Sequence, residues 1–164
     1  MQRRAFTFVE MMMVVILMAI IAVVVLPNST ADGTVRLVGA VNIVVADIEY
    51  AQSLSLAEPG DAALLRFDEI LGRYWIALSS DPTTPIARAN GDPYVVTFGA
   101  AGGVDLIGIV VDLENEMNDL QYDAFGRLSM LGQRTIRLTS ATSGTMRIVI
   151  TAETGSVFIE PDGG

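Results

Sequence analysis

The side chains of this sequence that could do chemistry are carboxylates. Its 164 residues include 19 acidic residues and 10 arginines, with no lysine, histidine or cysteine. These absences exclude Ser–His and Cys–His nucleophilic catalysis, lysine Schiff bases and Cys/His zinc sites. What remains is carboxylate acid–base chemistry and the binding of oxygen-ligated cations such as calcium.

Four of the acidic residues lie close together, at Asp112, Glu114, Glu116 and Asp119. Carboxylates are suitable calcium ligands, but their spacing differs from that of an EF-hand loop and the central glycine is missing. We interpret the segment first as a solvated acidic loop and keep the four residues as calcium candidates. We predict no catalytic residue and no other cofactor.

The net charge of −9 bears on partners. Affinity for nucleic acid depends on basic residues that neutralise phosphates, and this sequence has no basic cluster. We therefore expect no nucleic-acid partner.

One carboxylate, Glu10, stands inside the apolar segment 6–26, which follows Arg3 and Arg4 and precedes Pro27. A helix over this segment would be about 31 Å long, enough for a bilayer core. Its valine, isoleucine and leucine residues favour insertion by roughly 3–6 kcal/mol, which exceeds the cost of about 2.5–3.5 kcal/mol for a charge even at the centre. The arginines predict a cytoplasmic N-terminus and place the rest of the chain outside.

The segment has three interpretations. A plain membrane anchor explains its length but not Glu10, since an ionisable group inside a membrane calls for a partner. A secretory signal cut after Ala31 requires a shorter apolar core than this one. The third interpretation is the assembly helix of a filament subunit.

The residues RRAFTFVEMMMVVILMAIIAVVVLP resemble the N-terminal segment of type IV pilins and type II secretion pseudopilins. In that family a short basic leader is cut before a phenylalanine, a glutamate follows four residues later, and a proline often ends the span. Phe6, Glu10 and Pro27 match this pattern. Ala5 replaces the usual glycine before the cut, and Phe8 replaces the commoner leucine.

The resemblance implies that a prepilin peptidase cuts between Ala5 and Phe6 and that the new amine of Phe6 is N-methylated. It also implies that Glu10 of one subunit neutralises the Phe6 amine of a neighbour in the apolar filament core. The implied partners are the peptidase, other pilin or pseudopilin subunits, an inner-membrane assembly platform and membrane lipid. The implied location is the bacterial inner membrane, with the headgroup on its periplasmic side.

Downstream, apolar residues at spacings of three and four predict a second helix over 34–57, with Leu37, Val44 and Ile48 on one face and Arg36 and Asp47 on another. Strand-like runs follow from Ala63 onward. We predict strands at 63–67, 73–78, 94–98, 106–111, 120–122, 135–139, 146–151 and 156–159, a loop over 80–93 and a loose acidic tail over 160–164.

The expected fold class is α+β, a long N-terminal helix packed on a small antiparallel sheet. The expected organisation is a leader (1–5), the helix (6–57, with 6–26 as membrane span and filament core) and a β-rich headgroup (58–164). The order of VVADIEYAQSLSLA, GDPYVVTFG, LQYDAFGR and MRIVITAETGSVFI resembles the H-type minor pseudopilins. This implies a non-enzymatic filament subunit acting in protein secretion. The alternative is an anchored or secreted β-domain that binds a ligand or hydrolyses a glycan with a carboxylate pair.

Overall fold

Two helices form the N-terminal part of the chain. The computed structural model describes residues 7–25, 29–99, 106, 108–114 and 119–161. Helix α1 spans Phe8–Val25 and helix α2 spans Ser29–Ala57. The second helix therefore begins five residues before the predicted start at Thr34, and the polar stretch before that residue is largely helical. Pro59 lacks an N–H group and cannot continue α2, which ends where predicted.

Among the described residues, nine strands follow in two antiparallel sheets, and the predicted strands are divided between these two sheets. The strands are β1 (Ala63–Asp68), β2 (Arg73–Leu78), β3 (Asp81–Pro85), β4 (Val95–Thr97), β5 (Ile109–Leu113), β6 (Asp119–Gln121), β7 (Arg134–Ser140), β8 (Gly144–Ile150) and β9 (Val157–Pro161). The first sheet has the order β3-β2-β1-β6, with β4 pairing to the other half of β2, and the second has the order β5-β7-β8-β9.

Two predictions about strands were wrong. The predicted loop over 80–93 contains β3, which has Pro82 and Pro85 within it. Proline is tolerated there because β3 pairs with β2 on one side and forms an edge of the sheet. The predicted tail begins too early, since Glu160 and Pro161 belong to β9 and pair with β8.

The core lies between α2 and the two sheets. The helix packs on β1 of the first sheet and on β7 and β8 of the second. The predicted apolar face of α2 is confirmed, with Leu37, Val44 and Ile48 at most 2% exposed. The strands contribute most of the remaining large buried side chains, among them Leu65, Phe67, Tyr74, Ile76, Ile136, Leu138 and Ile148, and Tyr122 directly after β6 adds another.

Polar contacts join the elements at their ends. The Ser55 hydroxyl in α2 accepts the N–H of Ala63 at 2.9 Å, which fixes the end of the helix to the start of β1. A Glu69 carboxylate oxygen in the β1–β2 turn accepts the N–H of Leu113 at 2.9 Å, which links the first sheet to the edge of β5. The first contact holds β1 in position relative to the helix, and the second holds the two sheets in position relative to each other.

A third junction lies near the C-terminal end of α2. The side-chain amide of Gln52 donates to the carbonyl of Gly126 at 2.6 Å and to that of Thr154 at 3.3 Å. Gly155 has a φ of 68°, and a Cβ there would collide with the Gly126 carbonyl and the Gln52 amide. A side chain at this position would therefore push two loops away from the helix.

We expect Gly155→Ala to destabilise the protein by about 2–4 kcal/mol, because a left-handed backbone strain adds to a steric clash. Chemical denaturation of the full chain in detergent measures the change. Gly132→Ala is the matched control, since Gly132 also has a positive φ but faces open space. Equal losses in the two variants would contradict the clash at Gly155.

Candidate functional site

Helix α1 is apolar except for one carboxylate, and its side chains are exposed wherever the structure describes them. The fully described side chains of this helix, from Phe8 to Ile21, are all exposed, and Glu10 is its one charged residue. An all-apolar helix requires a bilayer or other protein around it. Exposed large apolar residues of this helix are Phe8, Val9, Met11, Met12, Met13, Val14, Val15, Ile16, Leu17, Met18, Ile20 and Ile21.

Length and composition alone would also allow Gly33–Ala57, within α2, to cross a membrane. The most apolar 18 residues of that stretch are 39% buried, and the stretch supplies the face of α2 that packs in the core. Phe8–Ile21, the portion of α1 with described side chains, is apolar but shorter. Helix α2 thus packs in the headgroup core, whereas the described side chains of α1 are exposed.

The Glu10 carboxylate stands in the first turn of α1, behind a helix cap. The Thr7 hydroxyl accepts the N–H of Glu10 at 3.3 Å, and the Thr7 carbonyl accepts the N–H groups of Glu10 and Met11 at 3.1 and 3.2 Å. Thr-x-x-Glu is the pattern of a capping box, a signal in the sequence from which the cap could have been predicted. A carboxylate in this position is also stabilised by the helix dipole.

The other residues predicted for processing and assembly, Ala5, Phe6 and Pro27, lie outside the described residues. Cleavage between Ala5 and Phe6, methylation of Phe6 and a role for Pro27 therefore stay predictions. The cap places the start of α1 one residue after Thr7.

The structure brings two of the acidic calcium candidates to one arginine and places a third in the other sheet. Asp112 in β5 lies 3.6 Å from Arg137, and Glu114 forms ion pairs with Arg137 and, at 3.3 Å, with Arg147. Asp119 is in β6 of the other sheet, 3.6 Å from Arg66. Glu116 lies outside the described residues. Among the residues that the structure describes, no three acidic side chains form a group that could hold a metal ion.

Open grooves lie on the surface of the described headgroup residues, and in two of them one carboxylate, Asp123 or Asp68, has structural partners. In a groove of about 340 Å³, Asp123 accepts the N–H groups of Arg127 and Phe125 at 2.9 Å, and these bonds lower its pKa. In the other, of about 550 Å³, Asp68 accepts the N–H of Leu71 and lies 3.5 Å from Arg73. Each carboxylate thus stabilises its own turn.

The most buried carboxylate of the described residues, Asp47, was wrongly predicted to lie away from the apolar face of α2. It is 6% exposed and accepts two hydrogen bonds of 2.6 Å, from the phenols of Tyr74 and Tyr94. Its position three residues after Val44 and one before Ile48 was the available signal. We call Asp47, Tyr74 and Tyr94 the Asp47 cluster.

The Asp47 cluster fixes the middle of α2 to the first sheet. Tyr74 is a fully buried residue of β2, and Tyr94 directly precedes β4. The ring of Tyr94 also stacks on that of Tyr50, with centroids 5.8 Å apart. The guanidinium of Arg88 lies 4.4 Å from the centroid of the Tyr94 ring. Two donors per carboxylate satisfy a buried charge that would otherwise be costly.

The cluster predicts a loss of stability in alkali. Burial and the hydrogen bond to Asp47 raise the pKa of Tyr94 from 10.0 to about 12. Between these values the unfolded chain loses the phenol proton and the folded chain keeps it. The contribution of the Tyr94 phenol to the free energy of unfolding is therefore fully present below about pH 10 and is lost as the pH rises through about 12. Denaturation at a series of pH values should show a shallower fall in Tyr94→Phe; an unchanged slope would contradict this assignment.

Comparisons with known proteins bear on the fold. No protein-family profile and no curated protein sequence matches the chain. Two crystal forms of the type IV minor pilin FimU of Pseudomonas aeruginosa match its structure, with TM-scores of 0.52 and 0.51 and 18% sequence identity in both. The match covers 76% of this chain and 88% or 93% of the FimU chain.

Proposed function

We propose that this chain, which has a type IV pilin-like fold, is a subunit of a pilin-like filament. The observation that carries the proposal is the contrast between its two helices. One face of α2 is buried against the sheets of the headgroup, whereas the apolar side chains of α1 from Phe8 to Ile21 are exposed on every side. Helix α1 would lie in the membrane before assembly and among the α1 helices of other subunits afterwards.

In this proposal a prepilin peptidase removes residues 1–5 and the Phe6 amine is N-methylated. Glu10 of a neighbouring subunit then pairs with that amine. The proposal is supported by the position of Glu10 in the first turn, where its carboxylate is exposed. Among the described residues, this carboxylate has no ion pair or hydrogen bond within its own chain. A buried charge without a partner costs several kcal/mol, so pairing would select one axial register.

Mass spectrometry of the chain purified from its host membrane tests the processing. We expect a mature chain that begins at Phe6 and carries one added methyl group. A start at Asp32 would support a secretory signal, and an intact Met1 would support a plain anchor; either contradicts the proposal. Phe6→Ala is not needed for this test, because the native chain reports its own N-terminus.

The finer proposal is that the chain is a minor pseudopilin of the type II secretion system, located in the inner membrane with its headgroup in the periplasm. The ordered helix, strands and late Thr154–Gly155 turn support the H-type group. Deletion of the chain should then leave secreted proteins in the periplasm, measured by fractionation. Normal secretion together with lost surface fibres would instead favour a type IV pilus.

A further inference from the structure

The free edge of β9 has the features of a strand-binding site. Strand β9 is the last strand of the second sheet, paired with β8 on one side, and no described strand pairs with its other side. Phe158 and Ile159 are 53% and 43% exposed, one on each face of the sheet. An edge of this kind offers both backbone groups and apolar side chains to an added strand.

On the inner face of the sheet, an added strand would extend a cross-strand row of apolar side chains. One cross-strand row runs from Leu113 in β5 through Ile136 and Ile148 to Ile159 in β9. The first three of these side chains are at most 8% exposed, whereas Ile159 is partly uncovered. An apolar residue opposite Ile159 would complete the row.

The charged residues on the outer face of the sheet indicate which charge an added strand should carry. The next row runs from Asp112 through Arg137 and Arg147 to Glu160. The two middle residues of this row are basic and the two outer residues are acidic, so the pairs at each end join opposite charges, which is stabilising in cross-strand pairs. The position beyond Glu160 therefore favours a lysine or arginine.

The described strands of a second copy of this chain do not include such a strand. The arginines of its described strands are in β1, β2, β7 and β8, which are interior strands with partners on both sides. The other edges carry Asp81, Asp112 or Asp119, or, in β4, no charge. In addition, the N–H of Leu113 on the β5 edge is already bonded to Glu69.

We propose that the β9 edge binds an extended segment of a different protein by strand addition, and that this segment carries a basic residue opposite Glu160 with an apolar residue next to it. Main-chain hydrogen bonds would supply affinity, and the Ile159 and Glu160 positions would supply specificity. The proposal does not depend on whether the chain assembles into filaments.

Two peptides test the proposal, STVVKVVTS and STVVEVVTS, whose sequences read the same in both directions and so suit either strand orientation. Fluorescence anisotropy of labelled peptides, with the full chain in detergent, measures their affinities. We expect the lysine peptide to bind about three- to tenfold more tightly than the glutamate peptide. Equal affinities, or no binding of either peptide, would overturn the proposal.

Variants of Glu160 give the matched controls. Glu160→Gln should remove the preference between the two peptides, and Glu160→Arg should reverse it. Glu160→Gln should change the unfolding midpoint little, because Glu160 is exposed. Glu160→Arg stands directly opposite Arg147 and should lower the midpoint slightly, so both variants are compared below their unfolding midpoints. A lysine peptide with N-methylated backbone amides should not bind, because it cannot donate main-chain hydrogen bonds. If it bound as well as the unmodified peptide, the binding would be explained by adsorption to apolar side chains and not by strand addition.

Discussion

Asp47→Ala should destabilise the protein by about 3 kcal/mol, because two phenol donors lose their acceptor at once. Tyr74 is fully buried, so its hydroxyl has no access to water as a replacement. Tyr94 is partly exposed and recovers some of the loss by hydration. The expected cost is therefore that of one unsatisfied buried hydroxyl plus a smaller contribution from the second.

Chemical denaturation of the full chain measures this cost, and two variants calibrate it. Asp47→Asn keeps one carbonyl acceptor and should lose about 1 kcal/mol. Glu49→Ala removes a carboxylate from an exposed position of the same helix and should change stability by less than about 0.5 kcal/mol. A loss in Asp47→Ala no larger than that in Glu49→Ala would show that the Asp47 cluster does not hold α2 on the sheet.

Glu10→Gln should reduce incorporation of the chain into filaments by on the order of 100-fold. The proposed pair joins Glu10 to the amine of a neighbour within an apolar core, where an unpaired charge costs about 3–5 kcal/mol. Co-expression with the native chain, followed by shearing and quantification of both forms, measures the ratio. Membrane levels of the variant should remain unchanged, because a neutral residue is easier to insert than a carboxylate.

The helix cap makes this experiment specific for charge. Glutamine at the third helical position preserves the capping-box pattern with Thr7, so Glu10→Gln removes the charge but not the cap. Thr7→Val removes the hydroxyl that accepts the Glu10 N–H and keeps the charge. Incorporation should fall far more in Glu10→Gln than in Thr7→Val. The reverse order would assign Glu10 to helix capping and exclude its role in pairing.

Periodicity predicted the parts of the fold that bury one face. The buried positions of α2 recur at three and four residues, and β1, β2, β7 and β8 are rich in branched and aromatic residues, so their burial determines their structure. Strand β3 has neither property. Its two prolines and one aspartate are compatible with a strand because it lies at an edge, and edge position depends on the rest of the sheet.

The contacts of carboxylates were predicted least well, because they depend on residues far away in sequence. Tyr74 and Tyr94, which donate to Asp47, lie 27 and 47 residues from it. Asp112 and Asp119 are neighbours in sequence but belong to different sheets and contact different arginines. Glu10 was singled out because its surroundings are apolar in the sequence itself, a local property.

The buried position of Asp47 also has a consequence for biogenesis. Chain synthesis proceeds from the N-terminus, so α2 emerges before any strand is available to cover it. Gly33–Ala57 is an apolar helix of membrane-spanning length. In the proposed function it would reach the translocation machinery directly after α1. Asp47 lies near its centre, where a charge costs about 2.5–3.5 kcal/mol in a bilayer. The carboxylate that fixes α2 to the folded headgroup therefore also disfavours its retention as a second transmembrane helix.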